Sequence, residues 1–138
     1  MSERPTVLFL CVHNAGRSQM ARAFADHLSG GAIDVYSGGS EPAGSVNAVA
    51  VDAMAEVGID ITAERPRRWT DAEVRSADVV ITMGCGDTCP VYPGVRYEDW
   101  QVADPHGAGM DMVRSVRDDV ERRVRALLED LGVAPIDA

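Results

Sequence analysis

Lysine is absent from this chain: all 13 basic residues are arginine. The pattern fits GC-rich coding and is given little chemical weight. Basic residues are also outnumbered, 13 against 22 acidic ones, for a formal net charge of −9. That balance argues against nucleic acid as a partner, since nucleic-acid binding depends on basic patches. It suits an anionic ligand only if a local positive site sits inside the negative field, because net charge governs solubility and encounter rather than the chemistry of a site. Long apolar runs are missing too. None approaches the roughly 20 residues of a membrane-spanning helix, so no membrane partner is expected. The opening residues Met1-Ser2-Glu3-Arg4-Pro5 are too few and too polar to read as a secretory leader, and a cytoplasmic location is expected. Cysteine is scarce, at Cys11, Cys85 and Cys89. In a reducing compartment such cysteines read as catalytic, redox-active or metal-binding rather than as a structural disulfide.

What is present is enough for one globular domain. The 138 residues, 46% of them hydrophobic, are read as a single domain over 1–138. Val7-Leu8-Phe9-Leu10 is an unbroken apolar run, the pattern of a strand buried on both faces of a parallel sheet, placed at 6–11. Met20, Ala21, Phe24, Ala25 and Leu28 recur at helical spacing over 17–28, with Gly30-Gly31 as the stop. A second strand is placed at 33–36, ended by Ser37-Gly38-Gly39. A second helix covers 47–57, with Val46, Val49, Ala50, Ala53, Met54 and Val57 inward and Gly58 as its stop. Residues 59–68 read as extended and irregular. Thr70 caps a short helix reaching Ser76. Strands follow at 78–83 and near 97–101. A last helix at 111–131 turns Val113, Val116, Val120, Val124, Leu127 and Leu131 inward. Trp69 and Trp100 read as packing residues. Alternating strands and helices predict an α/β, doubly wound parallel sheet with helices on both faces. In such sheets ligands bind beyond the carboxyl ends of the strands, which is where Cys11, Cys85 and Asp104 fall.

The chemistry centres on Cys11-Val12-His13-Asn14-Ala15-Gly16-Arg17-Ser18, between the first strand and the first helix. A cysteine opens the loop and an arginine closes it. Loop amides and a helix N-terminus attract an oxyanion, and the same field favours the nucleophilic thiolate. Arg17 offers a two-pronged fork that lysine lacks. Its charge is disfavoured by the dipole at a helix start, which argues that an anion is expected there. His13 reads as a half-exposed loop residue, because a thiolate formed by the loop needs no separate base.

Cys-x5-Arg-Ser after a first strand resembles the low-molecular-weight tyrosine phosphatase superfamily. The longer form Cys-Val-His-Asn-Ala-Gly-Arg-Ser-Gln-Met-Ala is similar to the arsenate reductases built on that fold. The resemblance implies a four-stranded sheet in the order 2-1-3-4. It implies substrate binding by Val12, His13, Asn14, Ala15, Gly16, Arg17 and Ser18, with Cys11 as nucleophile. It also implies a hydrogen bond from Ser18 to the Cys11 thiolate, and a loop shape held by Asn14. Asp104-Pro105 matches the late Asp-Pro whose aspartate serves as general acid, a contribution typically worth ~10²–10⁴-fold. Three departures stand out. Phosphatase members carry a proline where this chain has Gln19. They often place tyrosines after the Asp-Pro, where His106-Gly107 follow here. Some members bind potassium through an acidic residue early in the first helix, and Arg22 takes that place, so no potassium site is expected.

Met83-Gly84-Cys85-Gly86-Asp87-Thr88-Cys89-Pro90 resembles the redox loop of the thioredoxin-coupled arsenate reductases. Arsenate reduction needs two electrons, and thiol–disulfide exchange from Cys11 to Cys85 to Cys89 supplies them. Were this stretch helical, the two loop cysteines would stand ~5–6 Å apart, beyond the ~3.5–4.5 Å between Cβ atoms in a disulfide. Closing the bond therefore requires rearrangement, which Gly84 and Gly86 permit. No bound cofactor is expected. The reductant is an external thiol: thioredoxin, or mycothiol with mycoredoxin. The chain is expected to act as a monomer on arsenate. Other readings stay open: a small-molecule thiol as second nucleophile, which would leave Cys85 and Cys89 dispensable; a phosphatase without redox chemistry; a Cys85/Cys89/His106 metal site, one ligand short of the usual zinc set; and a non-catalytic sensor of oxyanion or metal.

Overall fold

The computed structural model describes residues 4–83, 91–105 and 107–136. In chain order the elements are β1 (Thr6–Cys11), α1 (Arg17–Ser29), β2 (Asp34–Gly39), α2 (Ala48–Ala55), α3 (Asp71–Ser76), β3 (Val79–Thr82), β4 (Arg96–Asp99) and α4 (Met110–Asp130). The strands form a 4-stranded sheet in the order β2-β1-β3-β4, and every neighbouring pair is parallel. This is the expected doubly wound topology. The register aligns Cys11 with Gly39 and Leu10 with Thr82, and Thr82 in turn pairs with Asp99. The carboxyl ends of all the strands thus finish at one edge.

The apolar run of β1 is buried throughout because each face of the sheet has its own cover. Side chains alternate along a strand. Val7, Phe9 and Cys11 join one cluster with Met20, Phe24, Met54, Val120, Val124 and Leu128, under α1, α2 and α4. Leu8 and Leu10 join another with Trp69, Val74 and Val80, under α3 and the segment before it. Trp69 and Trp100 are both buried, and the Trp100 ring packs on Phe9 with centroids 5.9 Å apart. The short α3 forms because Thr70 and Glu73 build a reciprocal capping box, which satisfies two donors at the helix start.

Several boundaries differ from the sequence reading. β2 does not stop at Tyr36 but runs on through Ser37-Gly38-Gly39. Glycine is needed there for close approach rather than to end the strand. A Cβ at Gly39 would lie 2.5 Å from the Val12 carbonyl oxygen, and one at Gly38 would lie 2.9 Å from the Trp69 backbone nitrogen. α2 ends at Ala55, and Val57, expected inward, is 40% exposed beyond it. Leu131 is only partly buried, just past the end of α4, whereas Leu128 is fully buried on it. The 59–68 segment is irregular as expected, yet Ile59 and Ile61 enter the core and Arg68 bridges to Gly39. No helix among the described residues is long and apolar enough to cross a membrane.

Candidate active site

The loop between β1 and α1 is shaped by where its carbonyls go. The oxygens of Val12, His13 and Ala15 accept the backbone N–H groups of Glu41, Ala43 and Asn47 at 2.8, 3.0 and 2.9 Å. The Asn14 oxygen accepts the Gln19 side-chain amide at 3.1 Å. In a trans peptide the N–H lies opposite the C=O, so fixing these carbonyls outward turns the following N–H groups to the other side, the concave one. Asn14 makes this possible by adopting φ 50°, the one non-glycine positive φ among the described residues. Asparagine tolerates that region better than most side chains. The start of α1 has no side-chain cap and no acidic residue in its first turn, which leaves its positive end to an anion.

The Cys11 sulfur sits at the floor of this concavity. It lies 2.9 Å from the Ser18 hydroxyl and accepts the Asn14 backbone N–H at 3.3 Å. Asn14 also donates its side-chain Nδ2 to Ser18 Oγ at 2.6 Å. Cys11, His13, Ala15, Gly16, Arg17, Asn47, Asp104 and Pro105 line a cavity of about 20 Å³, enough for a particle of water size. Arg17 reaches it with a buried guanidinium, whose Nη2 stands 3.5 Å from Asp104 Oδ2 and whose Nη1 donates to the Val102 carbonyl at 3.4 Å. His13 is half-buried and its ring Nδ1 is 3.1 Å from the Glu41 carbonyl. Three of the lining residues, His13, Ala15 and Asn47, also border a wider cleft of about 550 Å³ whose remaining walls include Ala43, Gly44, Val46 and Ala48. Among the described residues, no Phe, Tyr or Trp lines either space, and the His13 imidazole borders both.

Residues 93 positions apart in the chain, Cys11 and Asp104, therefore face one cavity. Ser18 and Asn14 stand behind the sulfur rather than in the cavity, and Val12 contributes a carbonyl to the outward set. Cys85, Cys89 and His106 lie outside the described residues. Sequence reasoning missed Asn47 and Gln19. Asn47 caps α2 by accepting from Val49 and Ala50, and also lines the cavity. An Asn ahead of an apolar helix was a legible cap signal, but nothing local announced its neighbour. Arg22, where a potassium ligand stands in some relatives, pairs with Glu64 at 3.2 Å.

This geometry has a known counterpart. The model of the low molecular weight phosphotyrosine protein phosphatase family matches residues 6–134. A glutaredoxin arsenate reductase of Synechocystis is 39% identical over 129 residues, covering 91% of this chain and 98% of that protein. An arsenate reductase of Staphylococcus epidermidis is 35% identical over 128 residues, 90% and 96% of the two chains. The chain belongs to the low molecular weight phosphatase family, on its arsenate reductase branch. Among solved structures, a thioredoxin-dependent arsenate reductase of Corynebacterium glutamicum superposes with a TM-score of 0.85 at 40% identity. That match takes in 95% of this chain but 63% of the longer one. Membership of this branch makes the protein an enzyme, and its Cys-x5-Arg loop the place to look for the reacting groups.

Proposed function

We propose that the protein reduces arsenate to arsenite in arsenic detoxification, with Cys11 as nucleophile. The observation that carries the reading is the convergence of Cys11, Arg17 and Asp104 on one small cavity whose wall includes the loop residues His13, Ala15 and Gly16. The Cys11 thiolate attacks the arsenic of arsenate. Asp104 gives a proton to the departing oxygen, which leaves as water, and a Cys11–arsenic(V) bond forms. Arg17 and the loop N–H groups hold the remaining oxygens. Cys85 then attacks the Cys11 sulfur. The sulfur–arsenic bond breaks with its electron pair going to arsenic, so arsenite leaves as a disulfide forms between Cys11 and Cys85. Attack of Cys89 on Cys85 frees the Cys11 thiolate and leaves a Cys85–Cys89 disulfide. An external dithiol of the thioredoxin class reduces that disulfide and completes a balanced two-electron cycle. The protein works as a cytoplasmic monomer of one domain.

Gln19 in place of the phosphatase proline, and the absence of tyrosines directly after Asp104-Pro105, favour this substrate over an aryl phosphate. A second reading keeps the substrate and replaces Cys85 by a small-molecule thiol such as mycothiol. The wider cleft favours it, because it offers a small ligand room beside His13, Ala15 and Asn47, which also line the cavity of Cys11; sites for small ligands typically span about 300–1,000 Å³. The deciding experiment mixes fully reduced protein with arsenate and no added thiol, alkylates free cysteines, digests, and identifies the peptides by mass. The relay predicts a Cys85–Cys89 disulfide with Cys11 free. Three alkylated cysteines, with arsenite released only on adding a small thiol, would replace the relay by the second reading.

A further inference from the structure

Gln19 is almost wholly buried, at the third position of α1, yet the reaction as written makes no use of it. Its side-chain nitrogen donates to the Asn14 carbonyl at 3.1 Å, to Asn14 Oδ1 at 3.2 Å and to the Arg65 carbonyl at 3.4 Å. Its side-chain oxygen is buried without a hydrogen-bond partner among the described residues. An unpartnered buried carbonyl costs free energy, which an apolar side chain of similar size would avoid. What the position gains from glutamine is thus the NH₂ group. Two of its acceptors are backbone carbonyls, which accept only, so the amide faces one way.

The consequence runs inward. Asn14 Oδ1 receives Gln19 and also the Arg67 backbone N–H at 3.0 Å. With its oxygen taken by two donors, the Asn14 amide must turn Nδ2 toward Ser18. Ser18 Oγ then accepts from Asn14, and its single proton is left for the Cys11 sulfur 2.9 Å away. Hydrogen bonds arranged head to tail polarise one another, and a donor aimed at sulfur favours the thiolate over the thiol. Gln19 also ties the loop to residues 65–67, which carry the second donor to Asn14.

We infer that Gln19 is a positioning residue for Cys11: its amide locks the orientation of Asn14, and through it directs the Ser18 hydroxyl proton onto the sulfur. The inference rests on Cys11 being the nucleophile but not on what Cys11 attacks. It also accounts for a difference from the phosphatase pattern, in which a proline stands where Gln19 does. Proline has no amide NH₂ with which to hold Asn14.

The test reads Cys11 alone, in a Cys85→Ser/Cys89→Ser background, by its alkylation rate with iodoacetamide across pH. Gln19→Met keeps the volume and removes the donor. Its alkylation midpoint is expected to move up by about one pH unit, a tenfold loss of reactive thiolate below both midpoints. His13, Arg17 and Asp104, the charged or titratable groups that share the cavity with the sulfur, are unaltered in this variant. Ser18→Ala is expected to move the midpoint in the same direction. The double variant should match Ser18→Ala, because the route from Gln19 to sulfur passes through Ser18. An unmoved midpoint in folded Gln19→Met, or a double variant whose shift is the sum of the singles, would overturn the inference. Gln19→Leu is made in parallel. Failure of both variants to fold would overturn it as well, by making Gln19 a residue of the fold rather than of the thiolate. No arsenate enters this experiment, so failure of arsenate turnover and failure of the positioning role give different results.

Discussion

Asp104 is half-exposed and 3.5 Å from a buried guanidinium. A carboxylate so placed has two tasks that pull apart. Beside Arg17 it helps hold the arginine in the cavity. As the acid of the proposed reaction it must give up a proton to an oxygen that Arg17 is also holding. Asp104→Asn keeps the shape and a hydrogen-bonding oxygen but has no acidic proton. It is expected to slow adduct formation by about 10²–10⁴-fold, the usual worth of a general acid. Alkylation of Cys11 by iodoacetamide, which needs no acid for its leaving iodide, should continue. Quenched-flow release of arsenite in a single turnover measures the first quantity and peptide mass the second. Equal losses in both would show Asp104 acting on the loop rather than on the leaving group. At this scale the sequence was most informative where a motif is contiguous. Cys11 through Ser18 could be named because their chemistry is written in order along the chain. Asp104-Pro105 was legible only through the resemblance to a late Asp-Pro, and Asn47, which lines the same cavity, meets it through the fold, so no local spacing announced it. Gln19 was visible only as a missing proline.

Some elements are joined by contacts that no periodicity reveals. β2 ends against the loop between β1 and α1, where Gly39 faces the backbone of Val12, Cys11 and Asn14. Gly39→Ala puts a methyl group 2.5 Å from a carbonyl oxygen that cannot swing aside. A destabilisation of about 1–3 kcal/mol is expected, as for other overpacked sites, together with slower Cys11 alkylation. Urea midpoints and alkylation rates read the two effects. Farther out, Glu56 closes the end of α2 onto α4. It accepts from Arg114 at 3.0 and 2.7 Å and from Arg117 at 2.7 Å, and Arg117 also donates to the Ala53 carbonyl. Hydrogen bonds from Arg114 and then Arg117 hold the Glu56 carboxyl down at about 2, against an ordinary 4.5. A carboxyl lowered on folding stabilises the fold above its unfolded value and loses that contribution as pH falls through the folded one. Glu56→Gln is therefore expected to be less stable than the parent at pH 6, with the two stability curves converging between pH 4.5 and 2. Urea titrations across that range would show it, and parallel curves would refute it. The helices and strands themselves were legible because apolar spacing distinguishes them. The end of β2 was misplaced because glycine, which often stops an element, serves here as the clearance between two backbones.

At the scale of the whole molecule, the anion of the proposed reaction has to approach Cys11 in a chain of net charge −9. The two fields act over different distances. Loop amides and the Arg17 guanidinium act at contact, within the cavity. The surplus carboxylates act at a distance, where about 0.1 M salt screens charges over ~10 Å. Raising ionic strength should weaken the long-range repulsion and leave the contact attraction nearly intact. With Cys85 and Cys89 replaced by serine, Cys11 can be probed by iodoacetate, which carries a negative charge, and by iodoacetamide, which does not. Iodoacetate should react severalfold faster as sodium chloride rises from about 10 mM to about 0.3 M, while iodoacetamide changes little. The opposite trend, with iodoacetate slowing as salt rises, would mean that the arginine and the helix end project their field well beyond the cavity and steer oxyanions in. The acidic surface would then be electrostatically remote from the site, and its role would lie in solubility alone.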